Sequence, residues 1–249
     1  MKLKDCVAIV TGAGTGIGKA ISVGYANEGA DVAVIYTHSI EGANDTVAQV
    51  RAAGRKGIAL PCDMGNPENI KAMVKEVYNA FGRIDILVNN GAVFNSGLLL
   101  SQPLEEWDQT FNTNCRGSFL AMQEVAPYME RQGGGKIINI NSMMAYRVSM
   151  IERMAYATSK MASIGLVKAA ARSLGKKGIY VNGISPGTFI RQGFTAPPEV
   201  IRLHDDCTAL GRCALPPDIV GTAVFLASHD SDYVDGVDIL VDGGWAMGD

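Results

Sequence analysis

The chain has 249 residues, 47% apolar and 19% charged, with 22 basic against 25 acidic side chains and a net charge of −3. That balance is globular, with length enough for a substantial core, and no basic block longer than two residues offers a footprint for nucleic acid. No apolar run reaches the ~18 residues needed to cross a bilayer, so a membrane is not expected as a partner either.

Residues 1–5 lead straight into a strand and leave no room for a signal peptide. The cysteines, Cys6, Cys62, Cys115, Cys207 and Cys213, are odd in number and scattered without a CxxC pair. They suit free thiols in a reducing cytoplasm, with neither a disulfide framework nor a zinc site.

A short buried strand over 6–10 runs into Thr11-Gly12-Ala13-Gly14-Thr15-Gly16-Ile17-Gly18 and then a helix over about 18–27. Gly12, Gly16 and Gly18 form a GxxxGxG variant of the commoner GxGxxG. Between a strand and a helix, such a loop lets backbone approach a phosphate, and the helix N-terminus offers N–H groups and a positive dipole end. The plainer alternative is a tight turn. A second strand over 31–36 ends in Tyr36-Thr37-His38-Ser39. In the NAD-binding version of this layout an acidic residue at that tip holds the ribose 2′-OH. Its absence, with hydroxyls and an imidazole in its place, favours NADP over NAD, although no Lys or Arg stands there to bind a 2′-phosphate. His38 reads equally well as an exposed loop histidine.

A helix over 41–53 and a strand over 57–62 follow, ending at Asp63 and Met64. Asn66-Pro67 is a strong helix start, and the helix to residue 81 carries an apolar stripe of Ile70, Met73, Val74, Val77 and Phe81. A strand over 84–92 ends in Asn89-Asn90-Gly91-Ala92, amides that either meet a cofactor or close a turn. A long helix over 103–131 holds Asn112, Asn114 and Cys115 in its middle. Asparagine competes for backbone hydrogen bonds there, so a local distortion with a functional amide is one reading. Gly133-Gly134-Gly135 breaks the helix before a strand over 136–141 with Ser142 at its tip.

Tyr156 and Lys160 lie four residues apart in a helical segment and so share one face. A nearby ammonium favours the phenolate; lowering a phenol from its usual pKa of about 10 by about 2–3 units, roughly 3–4 kcal/mol, gives a proton donor and acceptor near neutrality. Alone, the pair also fits a surface helix with a snorkelling lysine. The helix continues to Gly175, a strand spans 178–184, and Ser185-Pro186-Gly187-Thr188 follows. Residues 189–215, with a short helical piece over 199–207, read as a substrate lid. A helix over 217–228, a strand over 237–241 and a turn at 242–244 finish the chain. Strands and helices alternate throughout, without repeat or linker. That implies one domain over 1–249, an α/β fold with a single doubly wound parallel sheet of Rossmann-like type and helices on both faces. All strand C-termini then fall on one edge, bringing the glycine loop, Asp63, Asn89, Ser142 and Pro186 to one crevice.

These residues together closely resemble the short-chain dehydrogenase/reductase family over essentially the whole chain. The resemblance rests on Thr11-Gly12 through Gly18, Asp63, Asn89-Asn90-Gly91-Ala92, Asn114, Ser142, Tyr156 with Lys160, and Pro186-Gly187-Thr188. The usual Asn-Asn-Ala-Gly stands here as Asn-Asn-Gly-Ala, with a small residue kept at each place. The resemblance implies hydride transfer between a nicotinamide and a carbonyl/alcohol pair. In it Tyr156 exchanges the proton, Lys160 lowers the tyrosine pKa and bonds the nicotinamide ribose, Ser142 orients the substrate oxygen, and Asn114 holds a water in a proton relay. It places Gly12, Thr15, Gly16, Ile17 and Gly18 at the phosphates, with Tyr36, Thr37 and His38 at the adenosine ribose. Asp63 and Met64 fall at the adenine, Asn90 and Gly91 near the ribose–phosphate region, and Pro186, Gly187 and Thr188 at the nicotinamide. It also implies a homotetramer.

For the substrate, Met143, Met144, Met150 and Met154 read first as core packing and alternatively as an adaptable pocket. Arg147, Arg153 and Arg191 read first as solvated charges and alternatively as anion binders. The expectation is a small polar carbonyl compound, such as a sugar, polyol or oxo-acid derivative. The rivals are a 3-oxoacyl thioester reductase and a non-catalytic nucleotide-binding protein on the same fold.

Overall fold

Seven parallel strands form one sheet in the order β3-β2-β1-β4-β5-β6-β7. The chain is described by a computed structural model over residues 1–148, 150, 152–190, 202 and 205–247. The strands are β1 Val7–Thr11, β2 Asp31–Tyr36, β3 Gly57–Pro61, β4 Ile86–Asn89, β5 Gly135–Ile140, β6 Ile179–Pro186 and β7 Asp238–Val241. The helices are α1 Gly16–Asn27, α2 Ile40–Ala52, α3 Pro67–Phe81, α4 Leu104–Phe111, α5 Ser118–Arg131, α6 Met154–Leu174 and α7 Val220–Ala227.

Every residue of β1 is buried, as expected of a central parallel strand covered on both faces. Its side chains alternate between two cores. Ala8 and Val10 meet Ile21 and Tyr25 of α1, Val47 of α2 and Val224 of α7. Val7 and Ile9 belong with Ile70 and Val77 of α3, Val125 and Met129 of α5, and Val167 of α6. The strand order turns outward in both directions from the β1/β4 boundary, and at such a switch point a crevice opens at the strand C-termini.

The bounds of β2 and α3 fall where sequence patterning puts them. Asn66 Oδ1 accepts from the N–H groups of Glu68 (3.0 Å) and Asn69 (3.3 Å), and Gly82 closes α3 at φ 79°. Several expectations shift. Helix α1 starts at Gly16 rather than residue 18. Strand β4 begins only at Ile86, and Asp85 before it takes the Val7 N–H and the Arg83 guanidinium. Strand β6 runs on through Ser185 and Pro186, because β7 pairs with both of them. The long helix expected over 103–131 is α4 and α5 joined by a π-helical stretch, Asn112–Gly117. Gly117 belongs there because a Cβ on it would overlap the carbonyl oxygen of Met64. Of the expected lid, residues 191–201, 203 and 204 lie outside the described residues. Its base is tied to the sheet edge, with the Ala214 N–H donating to Thr188 O (3.0 Å) and Ile190 N–H to Ala214 O (2.9 Å).

Replacing Asn66 by Ala is expected to cost about 1 kcal/mol and lower the thermal midpoint by about 2–4 °C. Thermal unfolding followed by circular dichroism checks this, and an unchanged midpoint would show that α3 does not need its cap.

Candidate active site

The C-terminal ends of the strands surround a cleft of about 1320 Å³. At the β1 tip the glycine loop is braced from β4. Thr11 Oγ1 accepts from the N–H groups of Asn90 (2.9 Å) and Gly91 (2.8 Å), while Asn90 Nδ2 donates to Thr11 O (2.8 Å) and Gly12 O (3.1 Å). Gly12 stands at φ +62°, and a Cβ there would lie 2.9 Å from Gly91 Cα. A Cβ on Gly18 would lie 2.5 Å from both Asn90 Nδ2 and Gly12 O. The two glycines therefore buy close packing of the loop, and Gly16, at φ +55°, turns the chain into α1. Thr15 makes no side-chain cap to α1, and the first turn holds no acidic residue. The first N–H groups of α1 receive no cap from Thr15, and Thr15, Gly16 and Ile17 line the cleft, a fit for the diphosphate of a dinucleotide.

Further out, Tyr36, Thr37, His38, Asp63 and Met64 line the same cleft. Thr37 Oγ1 donates to Cys62 O (2.9 Å), and Asp63 Oδ1 accepts from Gly65 N–H (2.8 Å). Both local bonds fix the shape of the β2 and β3 tips. Pro186, Gly187 and Thr188 line the opposite end.

At that end Ser142, Tyr156 and Lys160 converge. Lys160 is 5% exposed; its Nζ donates to Ile140 O at 2.7 Å and sits 5.6 Å from the centroid of the Tyr156 ring. Burial holds the Lys160 ammonium down to about 8 from 10.5, against the opposing pull of Cys115 and Asp238. The Tyr156 ring meets Phe94 edge to face, with centroids 4.3 Å apart. Ser142 Oγ accepts from Met144 N–H at 3.2 Å, which leaves its own O–H to be donated. A second phenol, Tyr146, is pushed up to about 12 by burial and by its bond to Asp238, and so stays protonated across the neutral range.

Asn114 lies behind this wall, not in it. Its side chain is 98% buried within the π-helical stretch, accepting from Val93 N–H (2.9 Å) and donating to Val93 O (3.1 Å) and Ser159 Oγ (3.0 Å). Gly18 likewise supports the loop without lining the cleft. Asn89, expected at the crevice, is instead buried and donates to Asn139 Oδ1 (2.9 Å), and all other expected site residues line the cleft. Of the four methionines, Met143, Met144 and Met150 do so and Met154 does not. Of the two candidate arginines that are described, Arg153 lines it and Arg147 instead donates to Trp245 O (3.3 Å); Arg191 is outside the described residues.

Several lining residues escape the sequence reading: Val93, Phe94, Asn141, and Glu105 and Asp108 of α4. Phe94 is pinned by Arg153, whose guanidinium carbon stands 4.0 Å over its ring and whose Nη1 reaches Phe94 O (3.3 Å) and Ser96 Oγ. An apolar aromatic just past a functional strand tip was the available signal.

An α/β protein with a glycine-turn crevice and a Ser/Tyr/Lys cluster at its far end belongs to the dinucleotide-dependent oxidoreductase class. Comparison with known proteins narrows this. A family model described as enoyl-(acyl carrier protein) reductase matches residues 12–246. The 3-oxoacyl-(acyl-carrier-protein) reductase of Staphylococcus aureus is 37% identical over 241 residues, 96% of this chain and 98% of that protein. The L-rhamnose 1-dehydrogenase (NAD(P)(+)) of a Sphingomonas species is 36% identical over 246 residues, 97% of this chain and 96% of the other. A short-chain dehydrogenase from Burkholderia cenocepacia, solved with NADP, superposes with a TM-score of 0.93 at 34% identity, covering 100% of both chains. The chain belongs to the short-chain dehydrogenase/reductase family, and is an oxidoreductase of hydroxyl and carbonyl groups.

Lys160 also makes a stability prediction. Its folded pKa near 8 lies below the ordinary 10.5, so burying it as a cation costs stability below pH 8. That cost is relieved as pH rises from 8 towards 10.5. The stability gap between Lys160→Met and wild type should therefore shrink by about 2 kcal/mol from pH 8 to pH 9.5. Urea unfolding at the two pH values measures it; a constant gap would contradict a buried charged lysine.

Proposed function

We propose that the chain is an NADP(H)-preferring dehydrogenase/reductase for a small polar carbonyl or alcohol, of the sugar, polyol or oxo-acid kind. The observation that carries this is the convergence of Ser142, Tyr156 and Lys160 at one end of the cleft whose other end is the glycine turn. When bound, the nicotinamide supplies or takes the hydride. The α1 N-terminus and the Gly12–Gly16 turn hold the phosphates. Tyr36, Thr37 and His38 meet the adenosine ribose, Asp63 and Met64 the adenine, and Pro186, Gly187 and Thr188 the nicotinamide end. Tyr156 gives its phenolic proton to the substrate oxygen during reduction and takes it back during oxidation. Lys160 keeps a positive charge beside that phenol and favours its ionised form. Ser142 Oγ donates to the same substrate oxygen and fixes its direction. Asn114 serves by holding the Val93 backbone and the Ser159 hydroxyl of α6; a relay water at Asn114 would use the remaining acceptor capacity of its amide oxygen.

NADP is preferred over NAD because no acidic side chain stands among the β2-tip residues lining the cleft. The NADP complex of the Burkholderia relative and the NAD(P)(+) use in the Sphingomonas enzyme's name are consistent with that. The polar substrate class draws on the sugar dehydrogenase likeness and on Arg153 in the wall. The Staphylococcus relative keeps a 3-oxoacyl thioester as the second reading. We take residues 1–249 as one oxidoreductase domain with a lid over about 189–215, assembling as a homotetramer in the cytoplasm. Among the described residues no helix is long and apolar enough to cross a membrane.

Fluorescence titration with NADPH and NADH, followed by turnover on a carbonyl and alcohol panel, tests the reading. NADPH should bind more tightly, and Tyr156→Phe should lower kcat by about 10²–10⁴ while still binding cofactor. Equal turnover in Tyr156→Phe would remove the mechanism, and tighter NADH binding would reverse the cofactor preference. Arg153→Ala should raise KM more than about threefold for anionic substrates while Arg147→Ala leaves it unchanged. Equal KM values in both variants would remove Arg153 from substrate recognition.

A further inference from the structure

The turn that carries Ser142 is tied at both ends to one carboxylate on the last strand. Asn141 precedes Ser142, and its Nδ2 donates to Asp238 Oδ1 at 2.5 Å. Tyr146 follows the short helical turn Met143–Ala145, and its hydroxyl donates to Asp238 Oδ2 at 2.8 Å. Ser185 Oγ donates to the same Oδ2 at 2.6 Å. Asp238 thus gathers three donors from β6 and from the two flanks of the Ser142 turn.

The contact reaches across a whole strand. β6 lies between β5 and β7, and Asn139, Gly183 and Asp238 stand in one row across the three. Asn141 shares the face of Asn139 two residues further on. A Cβ at Gly183 would overlap Asp238 Oδ1 and come within 2.5 Å of Asn141 Nδ2. Only glycine at that position leaves a gap through which the amide and the carboxylate meet.

Among the described residues the amide has no second hold. Asn141 is 2% exposed, and its Oδ1 is a buried acceptor with no partner among them. Leaving that oxygen unpaired is unfavourable, so of the described contacts it is the bond to Asp238 that keeps the orientation. Within the turn, Ala145 N–H donates to Ser142 O (3.0 Å), and Tyr146 N–H to Met143 O (2.9 Å). These local bonds shape the turn, whereas the Asp238 contacts set where it sits relative to the sheet.

We propose that Asp238 is a positioning residue for Ser142, acting through Asn141 and Tyr146 across the gap at Gly183. This rests on Ser142 being the hydroxyl that orients the reacting oxygen.

Crystal structures of full-length wild type, Asp238→Ala, Gly183→Ala and Asp238→Asn provide the first test. In Asp238→Ala and Gly183→Ala, Ser142 Oγ should move relative to Tyr156 Oη by more than about 0.5 Å, the tolerance of a productive site. Asp238→Asn keeps an acceptor for Asn141 and should hold Ser142 in place. Tyr146→Phe, at a half-exposed ring, loses one arm and keeps the test open if the buried variants fail to fold. NADPH affinity by fluorescence should stay within about twofold in all of them, since no phosphate-facing group is touched.

The second test uses L-rhamnose or an acetoacetyl thioester, whichever wild type turns over. Asp238→Ala should lower kcat about tenfold or more relative to Asp238→Asn, which removes the same charge from the surroundings of Lys160, and that difference should vanish in a Ser142→Ala background. An unmoved Ser142 in Asp238→Ala, or a kcat difference between the two variants that persists without Ser142, overturns the proposal. If wild type fails to bind NADPH, the reading of the cleft falls, and the Ser142 displacement still decides the clamp.

Discussion

A charged lysine kept almost out of water is the constraint on which the rest depends. Lys160 gives one hydrogen bond to the carbonyl of Ile140 at the end of β5 and stands beside the Tyr156 ring. An ammonium in that setting is costly, and a bare helix would release it to solvent. It remains because α6 brings it to the tip of β5, where the Ile140 carbonyl and the Tyr156 ring stand beside it, and Cys115 and then Asp238 oppose the effect of burial. The same docking of α6 sets the Tyr156 ring against Phe94 and in the wall of the cleft.

The sheet order explains why this cation faces a nucleotide-shaped crevice. β1 carries the glycine turn, β4 braces it through Asn90, and β5 carries Ser142. These three strands are neighbours, so the phosphate end and the chemical end of the cleft share one rigid base. The π-helical stretch Asn112–Gly117 then joins two walls. Asn114 reaches the Val93 backbone and α6, and Gly117 lets the Met64 backbone come close.

Much of this is legible in the sequence, for a physical reason in each case. Asn66-Pro67 starts α3 where the sequence puts it because capping is local chemistry. The alternation of strands and helices forces the C-terminal edge on which Gly12, Ser142 and Pro186 meet. The Asn112/Asn114 pair points to a helix distortion, but the close approach of Gly117 to the Met64 backbone, about fifty residues earlier in the chain, is not visible in the sequence. The extension of β6 through Pro186 depends on β7 pairing beside it. Asn141, Gly183 and Asp238 look like unrelated polar and small residues until three strands lie in register. Phe94 becomes part of the wall only when Arg153 stacks on it from the start of α6. Contacts between distant segments are what local pattern does not encode, and here they shape the substrate end of the cleft more than its cofactor end.

The most direct test of the buried cation is a pH titration of Lys160 by NMR on lysine labelled with 13C at Cε and 15N at Nζ, assigned with Lys160→Met. The account predicts a midpoint near 8 for this one ammonium, where burial places it. A midpoint at the ordinary 10.5 would mean that Lys160 is solvated, and the arrangement proposed to drive Tyr156 would be contradicted.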